Sequence, residues 1–382
     1  MSLSFLDLPI VLAPMGGAST LELVAAVSNA GGFGILPCAY STPEQITTQV
    51  SQLRRATRRP FGVNLFVESR PSVVDAHDVA RAHDRLRAYR EELGIVHTPQ
   101  PAVPPDHYRG QIDAVLKARP DVFTFTFGIP DRDTLTRFRD LGIFTIGTAT
   151  TVDEAVALAD AGVDGLFAQG SEAGAHRGTF LAPVEASLIG TLALVPQVVD
   201  ATHLPVFAAG GIGDGRAVAA VLALGAVAAA IGTSFLLAAE SGIAVAYRNA
   251  LRSKRSTDTV LTRAFSGRTA RGMANRLTQE LRDPDDIAPY PFQNAITRDI
   301  RTAAGEQGRS DFLSLWAGQA AKLAKEAPAA DIVAELMQEA QARAECVTET
   351  LLASSSLLGR KNRQYELRKD PIRAIVFRRP ST

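Results

Sequence analysis

The chain has 382 residues, 46% of them apolar, which is enough for one large α/β barrel or two ordinary domains. Lys and Arg balance Asp and Glu, so the formal net charge is zero, which argues against nucleic-acid and anionic-membrane partners. No apolar run approaches the roughly 20 residues of a membrane span, and the N-terminal residues lack a signal-peptide pattern. The two cysteines, Cys38 and Cys346, fit a reducing compartment without a disulfide framework, so we expect a cytoplasmic protein.

Short apolar runs alternate with helical patterns along most of the chain. The runs are continuous, which indicates strands buried on both faces, as in a parallel sheet covered by helices. Eight strand–helix units favour an α/β fold of the (β/α)8 TIM barrel type. An open doubly wound sheet is the alternative, because the pattern cannot show closure. The predicted strands are residues 10–13, 34–36, 61–66, 122–127, 144–146, 165–168, 206–208 and 228–231, and the predicted helices are residues 20–30, 43–56, 109–118, 132–141, 152–161, 185–199 and 215–224.

Two long polar regions interrupt this pattern. The first follows the third strand and carries a charged helical stretch, and the second follows the eighth strand and is basic. We expect both to form a smaller lid or substrate domain over the mouth of the barrel. The predicted division is a barrel of residues 1–67 and 108–237, a lid of 68–107 and 238–310, helices at 311–355 that pack back on the barrel, and a C-terminal extension at 356–382.

Two early segments predict contacts to a ligand at the C-terminal ends of strands, where barrel enzymes place their chemistry. After the first strand, Ala13, Pro14 and Met15 precede two glycines that allow close approach, and a methionine packs well beside a planar ring. A tight turn before a helix is the alternative. In the third strand, Asn64 is an amide in an apolar run, and an unpaired buried polar group costs about 1–3 kcal/mol. A cofactor ring or a neighbouring loop could supply its partner.

The segment 162–180 combines a strand end with a loop of small residues that carries His176. Small residues let the backbone approach a flat or phosphorylated ligand, and a histidine there can move a proton near neutral pH. Gln169 could bind a heterocycle as the chain leaves the strand, while Gly174 shapes the loop. An exposed loop histidine without a function is the alternative.

Glycine-rich turns follow the seventh and eighth strands. Gly210 and Gly211 lead into a helix, whose N-terminal N–H groups can hold a phosphate. Ile231, Gly232 and Thr233 follow the next strand and suit the other side of the same phosphate. Barrels of this type often bind phosphate between these two loops. The ligand could be a sugar phosphate rather than a flavin, and no metal-ligand spacing is evident.

Taken together, APMGG (13–17), the Asn64 strand, AQGSEAGAHRG (168–178), AAGGIGDGR (208–216) and IGTSF (231–235) resemble the nitronate monooxygenase family, formerly called 2-nitropropane dioxygenases. The order and spacing match over about residues 5–325. The resemblance implies an FMN-dependent barrel with a lid, oxidising alkyl nitronates or nitroalkanes with O2 to carbonyl compounds and nitrite. It implies that His176 is the active-site histidine and that FMN is contacted by Asn64, Gln169, Gly174, Gly211 and Ala230 to Thr233.

The resemblance extends to related enzymes with similar histidine loops. FMN-dependent NAD(P)H oxidoreductases, of the enoyl-acyl-carrier-protein reductase or quinone reductase type, are therefore the alternative function. The sequence also departs from the family pattern at Ala175, where a glycine is usual, and at Ala230, where a glutamine is common. The expected partners are a small-molecule substrate and O2, and apolar helices near Trp316 could serve a homodimer.

Overall fold

Eight parallel strands close into a barrel in the computed structural model, which describes residues 3–67, 74–96 and 106–357. The barrel strands are β1 (Ile10–Leu12), β2 (Phe33–Pro37), β3 (Phe61–Phe66), β4 (Val122–Thr126), β5 (Phe144–Ala149), β6 (Gly165–Gln169), β8 (Val206–Ala209) and β9 (Ala228–Ile231). Three further strands, β7 (Ala175–His176), β10 (Thr259–Thr262) and β11 (Ala270–Met273), form a separate sheet. The first and last barrel strands pair, with Val11 opposite Ala230, so the barrel is closed. The predicted TIM barrel is confirmed, and the open sheet is excluded.

Helices cover the barrel between successive strands. Polar side chains immediately before several of them accept hydrogen bonds from first-turn N–H groups, as Thr20, Thr42, Asp131 and Thr151 do. Among the described residues, no helix is both long and apolar enough to span a membrane. In chain order, the helices are α1 (Leu21–Asn29), α2 (Pro43–Ala56), α3 (Ala76–Arg85), α4 (Arg87–Glu92), α5 (Tyr108–Ala118), α6 (Arg132–Asp140), α7 (Val152–Ala161), α8 (Thr191–Thr202), α9 (Gly215–Ala223), α10 (Val245–Arg252), α11 (Arg276–Glu280), α12 (Phe292–Ile296), α13 (Arg298–Glu306) and α14 (Ala329–Leu357).

Aromatic side chains fill the N-terminal end of the barrel. Phe33 and Phe144 are the first residues of their strands, and both pack against the ring of Phe5, at 4.8 and 5.1 Å between centroids. Phe207 and Phe167 are buried in the same cluster. Because this end is sealed by packed rings, the space for a ligand lies at the opposite end, where the strands finish.

A second buried cluster joins the segment inserted between β3 and β4 to the segments that follow β9. Val79 and Leu86 from α3 and its end pack with Phe265, Leu277 and Ile300 from the later region. Arg90, on α4, is buried among the same segments. Its Nε lies 2.7 Å from Asp299 and its Nη2 donates to the carbonyl of Ile296. The two polar regions thus share one hydrophobic core beside the barrel mouth.

The C-terminal part of the described chain differs from the predicted series of helices. Residues 311–328 form an irregular strip with short 3-10 turns, including Ser310–Phe312 and Ala321–Leu323. A single long helix, α14, follows and packs on α9 and α1. The predicted helix at 185–199 is likewise divided into a 3-10 turn, Val184–Ser187, and the later helix α8. The extension at 356–382 lies outside the described residues from 358 onward.

We expect Gly215→Ala to lower the free energy of unfolding by about 1–3 kcal/mol, because an added methyl group overpacks the α9–α14 contact. A Cβ at this position would lie 2.3 Å from the Cβ of Glu339 and 2.5 Å from the backbone N of Ala340. Urea denaturation measures the effect. Gly305→Ala in α13 is the matched control, because its Cβ would meet nothing closer than 3.9 Å. An equal loss in both variants would contradict tight packing at Gly215.

Candidate functional site

A cavity of about 580 Å³ opens at the C-terminal ends of the barrel strands. Its walls come from the barrel, from the second lobe, by which we mean the two polar regions 74–96 and 238–310 together, and from the irregular strip, which contributes Trp316. Among the predicted site residues, Ile231 does not line this cavity, because it is 1% exposed and packs in the core between the barrel strands and the helices. The cavity does bring together Ala13, Pro14, Met15, Asn64, Gln169, Gly174, His176, Gly210, Gly211, Ala230, Gly232 and Thr233.

The glycine turns form a cradle with free backbone donors. Gly210 and Gly211 have φ values of +104° and +72°, in the left-handed region that disfavours side chains. A Cβ on Gly210 would lie 2.9 Å from the backbone N of Ala173. The N–H groups of Gly211 and Gly232 have no hydrogen-bond partner within the described segments. Glycine is therefore favoured at both positions by the backbone conformation, and at Gly210 also by the lack of space, while the exposed donors suit an anion.

The N-terminus of α9 differs from its predicted role in phosphate binding. The carboxylate of Asp214 accepts from the N–H groups of Arg216 and Ala217, and Glu339 accepts from that of Gly215 at 2.9 Å. The first-turn donors are thus already occupied by carboxylates. Donors for an anion remain in the turns before the helix rather than in the helix itself.

His176 lies in a short strand rather than on an irregular loop. The strand β7 pairs with β11, placing His176 opposite Ala270, and β10 completes the sheet. Gln169 supports the same segment, because its amide donates to the carbonyl of His176 at 2.9 Å and accepts from the N–H of Gly178 at 2.8 Å. Ala175 reaches this geometry with φ of +61°, a region where alanine is strained. Sequence reasoning predicts a loop here because the partner of β7, the hairpin of β10 and β11, lies far away in the sequence.

Two buried charged side chains fasten the histidine segment to the barrel. Arg177 donates to the carbonyls of Gly170 and Ser187, at 2.6 and 2.9 Å, and burial lowers its pKa to about 10. Glu154, at the start of α7, accepts from the backbone N–H groups of Phe180 and Leu181 beyond the histidine. Burial raises the pKa of Glu154, but hydrogen bonds outweigh it and the net pKa lies below its usual value. The sequence signal for Glu154 was indistinguishable from an ordinary acidic helix start.

The ring of His176 is surrounded by aromatic side chains. Phe66, Phe127, Tyr290 and Trp316 lie with ring centroids 5.7 to 6.2 Å from it. Burial is the main reason that the pKa of His176 is lowered to about 3, and the positive charges of the nearby Arg268 and Arg301 lower it further. The imidazole is therefore neutral near pH 7, the form that can accept a proton.

The hydroxyl of Ser266 completes the surroundings of the histidine. Its Oγ lies 2.8 Å from Nε2 of His176, across 90 residues of sequence. Neither Ser266 nor Trp316 belongs to a motif that sequence reasoning could recognise. Both reach the site only because the second lobe and the irregular strip fold against the barrel.

Cys38 lies beside the barrel core and does not line the cavity. It is fully buried, and burial raises the pKa of its thiol to about 12. Cys346 is exposed on α14. We expect one thiol per native chain to react with a thiol reagent such as dithionitrobenzoate at pH 8, and two after denaturation. Rapid reaction of two thiols in the native protein would contradict the burial of Cys38.

The fold and the cavity define a class of protein. A closed (β/α)8 barrel with glycine turns that expose backbone N–H groups after its last two strands is typical of enzymes that bind a phosphorylated ligand at this end. A neutral histidine in the same cavity adds a proton-accepting group. In the described residues, no group of three or more histidine, cysteine or acidic side chains could hold a metal ion.

Comparison with known proteins identifies the family within this class. The family model for nitronate monooxygenase matches residues 1–339. Probable nitronate monooxygenases from Staphylococcus aureus strains N315 and JH9 are 40% identical over 336 residues, covering 87% of this chain and 94% of each relative. The chain therefore belongs to the nitronate monooxygenase family, and it is an oxidoreductase of nitronates with a flavin cofactor.

Solved structures give the same result. A nitroalkane oxidase from Streptomyces ansochromogenes is 39% identical with a TM-score of 0.85, covering 90% of this chain and 98% of that one. FabK from Thermotoga maritima is 25% identical with a TM-score of 0.67, covering 90% and 96%. The stronger similarity is thus to the nitroalkane oxidase.

Proposed function

We propose that the cavity binds FMN and that His176 faces the nitronate or nitroalkane while it is oxidised with O2 to a carbonyl compound and nitrite. The observation that carries this proposal is the meeting of an anion cradle and a neutral histidine in one cavity. FMN supplies the redox chemistry when bound, and the protein orients it. The remaining steps concern side chains of this chain.

The cradle fits the phosphate of FMN. Gly211 and Gly232 offer backbone N–H groups without partners, and a Cβ on Gly232 would lie 3.2 Å from Sδ of Met15. Asn64 donates one amide hydrogen to Thr124 at 2.9 Å within the barrel, and its side chain borders the cavity. Met15, with its polarisable sulfur, and Asn64, with its amide, would therefore hold the planar ring of FMN.

The aromatic side chains around His176 line the part of the cavity that we assign to the substrate. Phe66, Phe127 and Trp316 place apolar rings beside the imidazole, which favours its neutral form. In this environment His176 either hydrogen-bonds the nitro oxygens or takes the α-proton of a neutral nitroalkane as a general base.

The visible spectrum of the purified protein, followed by anaerobic titration, tests the function. We expect a flavin spectrum that bleaches on addition of a nitronate alone and recovers with O2 while nitrite is released. Fast bleaching by NADPH with no response to a nitronate would instead support the reductase alternative. A colourless protein that cannot take up FMN would contradict the cofactor and favour a non-redox barrel enzyme.

Gly211→Ala is expected to weaken FMN binding by about tenfold, or ~1.4 kcal/mol, because alanine disfavours the left-handed backbone conformation, φ +72°, in which Gly211 presents its N–H to the cradle. Its Cβ would lie 3.5 Å from Cβ of Glu172, so the protein itself leaves room for it. Gly142→Ala is the matched control, since Gly142 has nearly the same φ, +70°, at the opposite end of the barrel. Fluorescence titration of the apoprotein measures the dissociation constants. Equal affinity in the two variants would place the phosphate elsewhere.

We also infer a cytoplasmic location and a homodimer, both from the sequence. The exposed thiol of Cys346 is compatible with a reducing compartment. Light scattering of the holoenzyme measures the oligomeric state, and a monomeric mass at micromolar concentration would rule the dimer out.

A further inference from the structure

Ser266 lies in the turn between β10 and β11 and is 1% exposed. Its Oγ has three polar neighbours. The closest is Nε2 of His176 at 2.8 Å, and the others are the carbonyl oxygen of Arg268 at 3.0 Å and the backbone N of Arg268 at 3.3 Å. A serine hydroxyl carries one hydrogen and two lone pairs, so these three contacts can be assigned by counting.

The backbone N–H of Arg268 donates to Oγ, which uses one lone pair of Ser266. If the hydroxyl hydrogen pointed to Nε2 of His176, Oγ and the Arg268 carbonyl would face each other at 3.0 Å without a proton between them. If it points to that carbonyl, Nε2 must carry a hydrogen and donate to the second lone pair. All three contacts are hydrogen bonds only in the second arrangement.

We propose that Ser266 is a positioning residue that holds His176 in the tautomer with hydrogen on Nε2, leaving the lone pair on Nδ1 free. Nδ1 has no hydrogen-bond partner in the part of the chain that the structure describes, and the side chain lines the cavity. Without a hydrogen, Nδ1 cannot donate to a nitro group, but it can accept a proton. The choice between the two roles of His176 therefore falls on the general base.

The catalytic consequence rests on the proposed function. The α-proton of a neutral nitroalkane transfers to Nδ1, and the C–H electron pair becomes the C=N bond of the nitronate. The imidazolium so formed lies beside the nitronate anion, which offsets the repulsion from the Arg268 and Arg301 guanidinium groups. A preformed nitronate needs no such transfer and should bypass Ser266.

The turn that carries Ser266 is held in place by its own contacts. The N–H of Ser266 donates to the carbonyl of Arg263 at 3.2 Å, and Arg263 donates from Nε to the carbonyl of Gly267 at 3.0 Å. Thr297, before α13, donates its hydroxyl to the carbonyl of Phe265 at 2.6 Å. The hydroxyl thus comes from a fixed element of the second lobe.

The first measurement needs no substrate. In holoenzyme labelled with ¹⁵N-histidine, the shifts of the two ring nitrogens of His176 report the tautomer, with His176→Asn used for assignment. We expect hydrogen on Nε2 at pH 7. Hydrogen on Nδ1 would overturn the proposal, whatever the enzyme oxidises.

The second measurement compares Ser266→Ala with Ser241→Ala, which removes a buried hydroxyl that has no hydrogen-bond partner among the residues described. We expect Ser266→Ala to mix the tautomers and lower turnover of a neutral nitroalkane by at least ~10-fold, with little change for the preformed nitronate. Ser266→Thr should restore both signals. A pure Nε2 tautomer with normal turnover in Ser266→Ala would overturn the proposal. Failure of the wild type on both substrates would instead reject the proposed function, and the tautomer result would stand.

Discussion

Replacing His176 with asparagine is expected to lower turnover of a neutral nitroalkane by about 10²- to 10⁴-fold, the usual contribution of a general base. Asparagine places an amide atom near the position of Nδ1, but it is too short to replace Nε2 at Ser266 and it has no basic nitrogen. Because the cradle residues lie apart from the ring, FMN should remain bound. Nitrite release and O2 consumption measure turnover, and the visible spectrum measures retained FMN.

The control for this substitution is His203→Asn. His203 ends α8 with φ of +55°, a conformation that asparagine also tolerates, and it does not line the cavity.

A base with a pKa near 3 stays unprotonated on acidification, so turnover of the neutral nitroalkane should not fall between pH 8 and 5. A histidine with its ordinary pKa would lose activity near pH 6.5. If His176→Asn kept FMN and full turnover at every pH, the proposed role would be wrong.

The barrel could be predicted because each of its strands is a short apolar run between helical patterns. Closure could not, since it depends on the pairing of β1 with β9, in which Val11 lies opposite Ala230, at opposite ends of the barrel sequence. Ile231 was selected along with its neighbours as a site residue, yet successive side chains of a strand face opposite ways. Ala230 therefore faces the barrel interior, while Ile231 packs toward the helices.

The predicted positions that line the cavity are mainly those where the backbone, rather than a side chain, faces the ligand space. Glycines at strand ends, such as Gly210 and Gly211, reveal themselves by residue type alone. Ser266 and Glu154 could not be found this way, because common polar residues gain a role only from contacts distant in sequence. Gln169 was recognised as important, but its amide hydrogen-bonds the histidine segment, which sequence cannot distinguish from a ligand contact.

Glu154→Gln is expected to cost about 2–5 kcal/mol of folding free energy at pH 7, the range for removing one partner of a buried charged network. One carboxylate oxygen accepts from Thr150, through its backbone N–H and its hydroxyl, and the other accepts from Thr179, Phe180 and Leu181. An amide has only one acceptor oxygen, so its NH2 group must face donors on one side. The segment beyond His176 then loses its attachment to α7, and urea denaturation measures the loss.

The pH dependence of the stability distinguishes the contribution of the Glu154 charge from that of the shape of its side chain. The folded-state pKa of Glu154 lies below its ordinary value, so its stabilisation is present above that value and is lost as pH falls through the folded pKa. The difference between wild type and Glu154→Gln should therefore be constant near neutrality and shrink in acid. Asp153→Asn, at an exposed position on the same helix turn, is the matched control and should change stability by less than about 1 kcal/mol. If both variants lost the same free energy, the loss would belong to the helix terminus rather than to the attachment of the histidine segment.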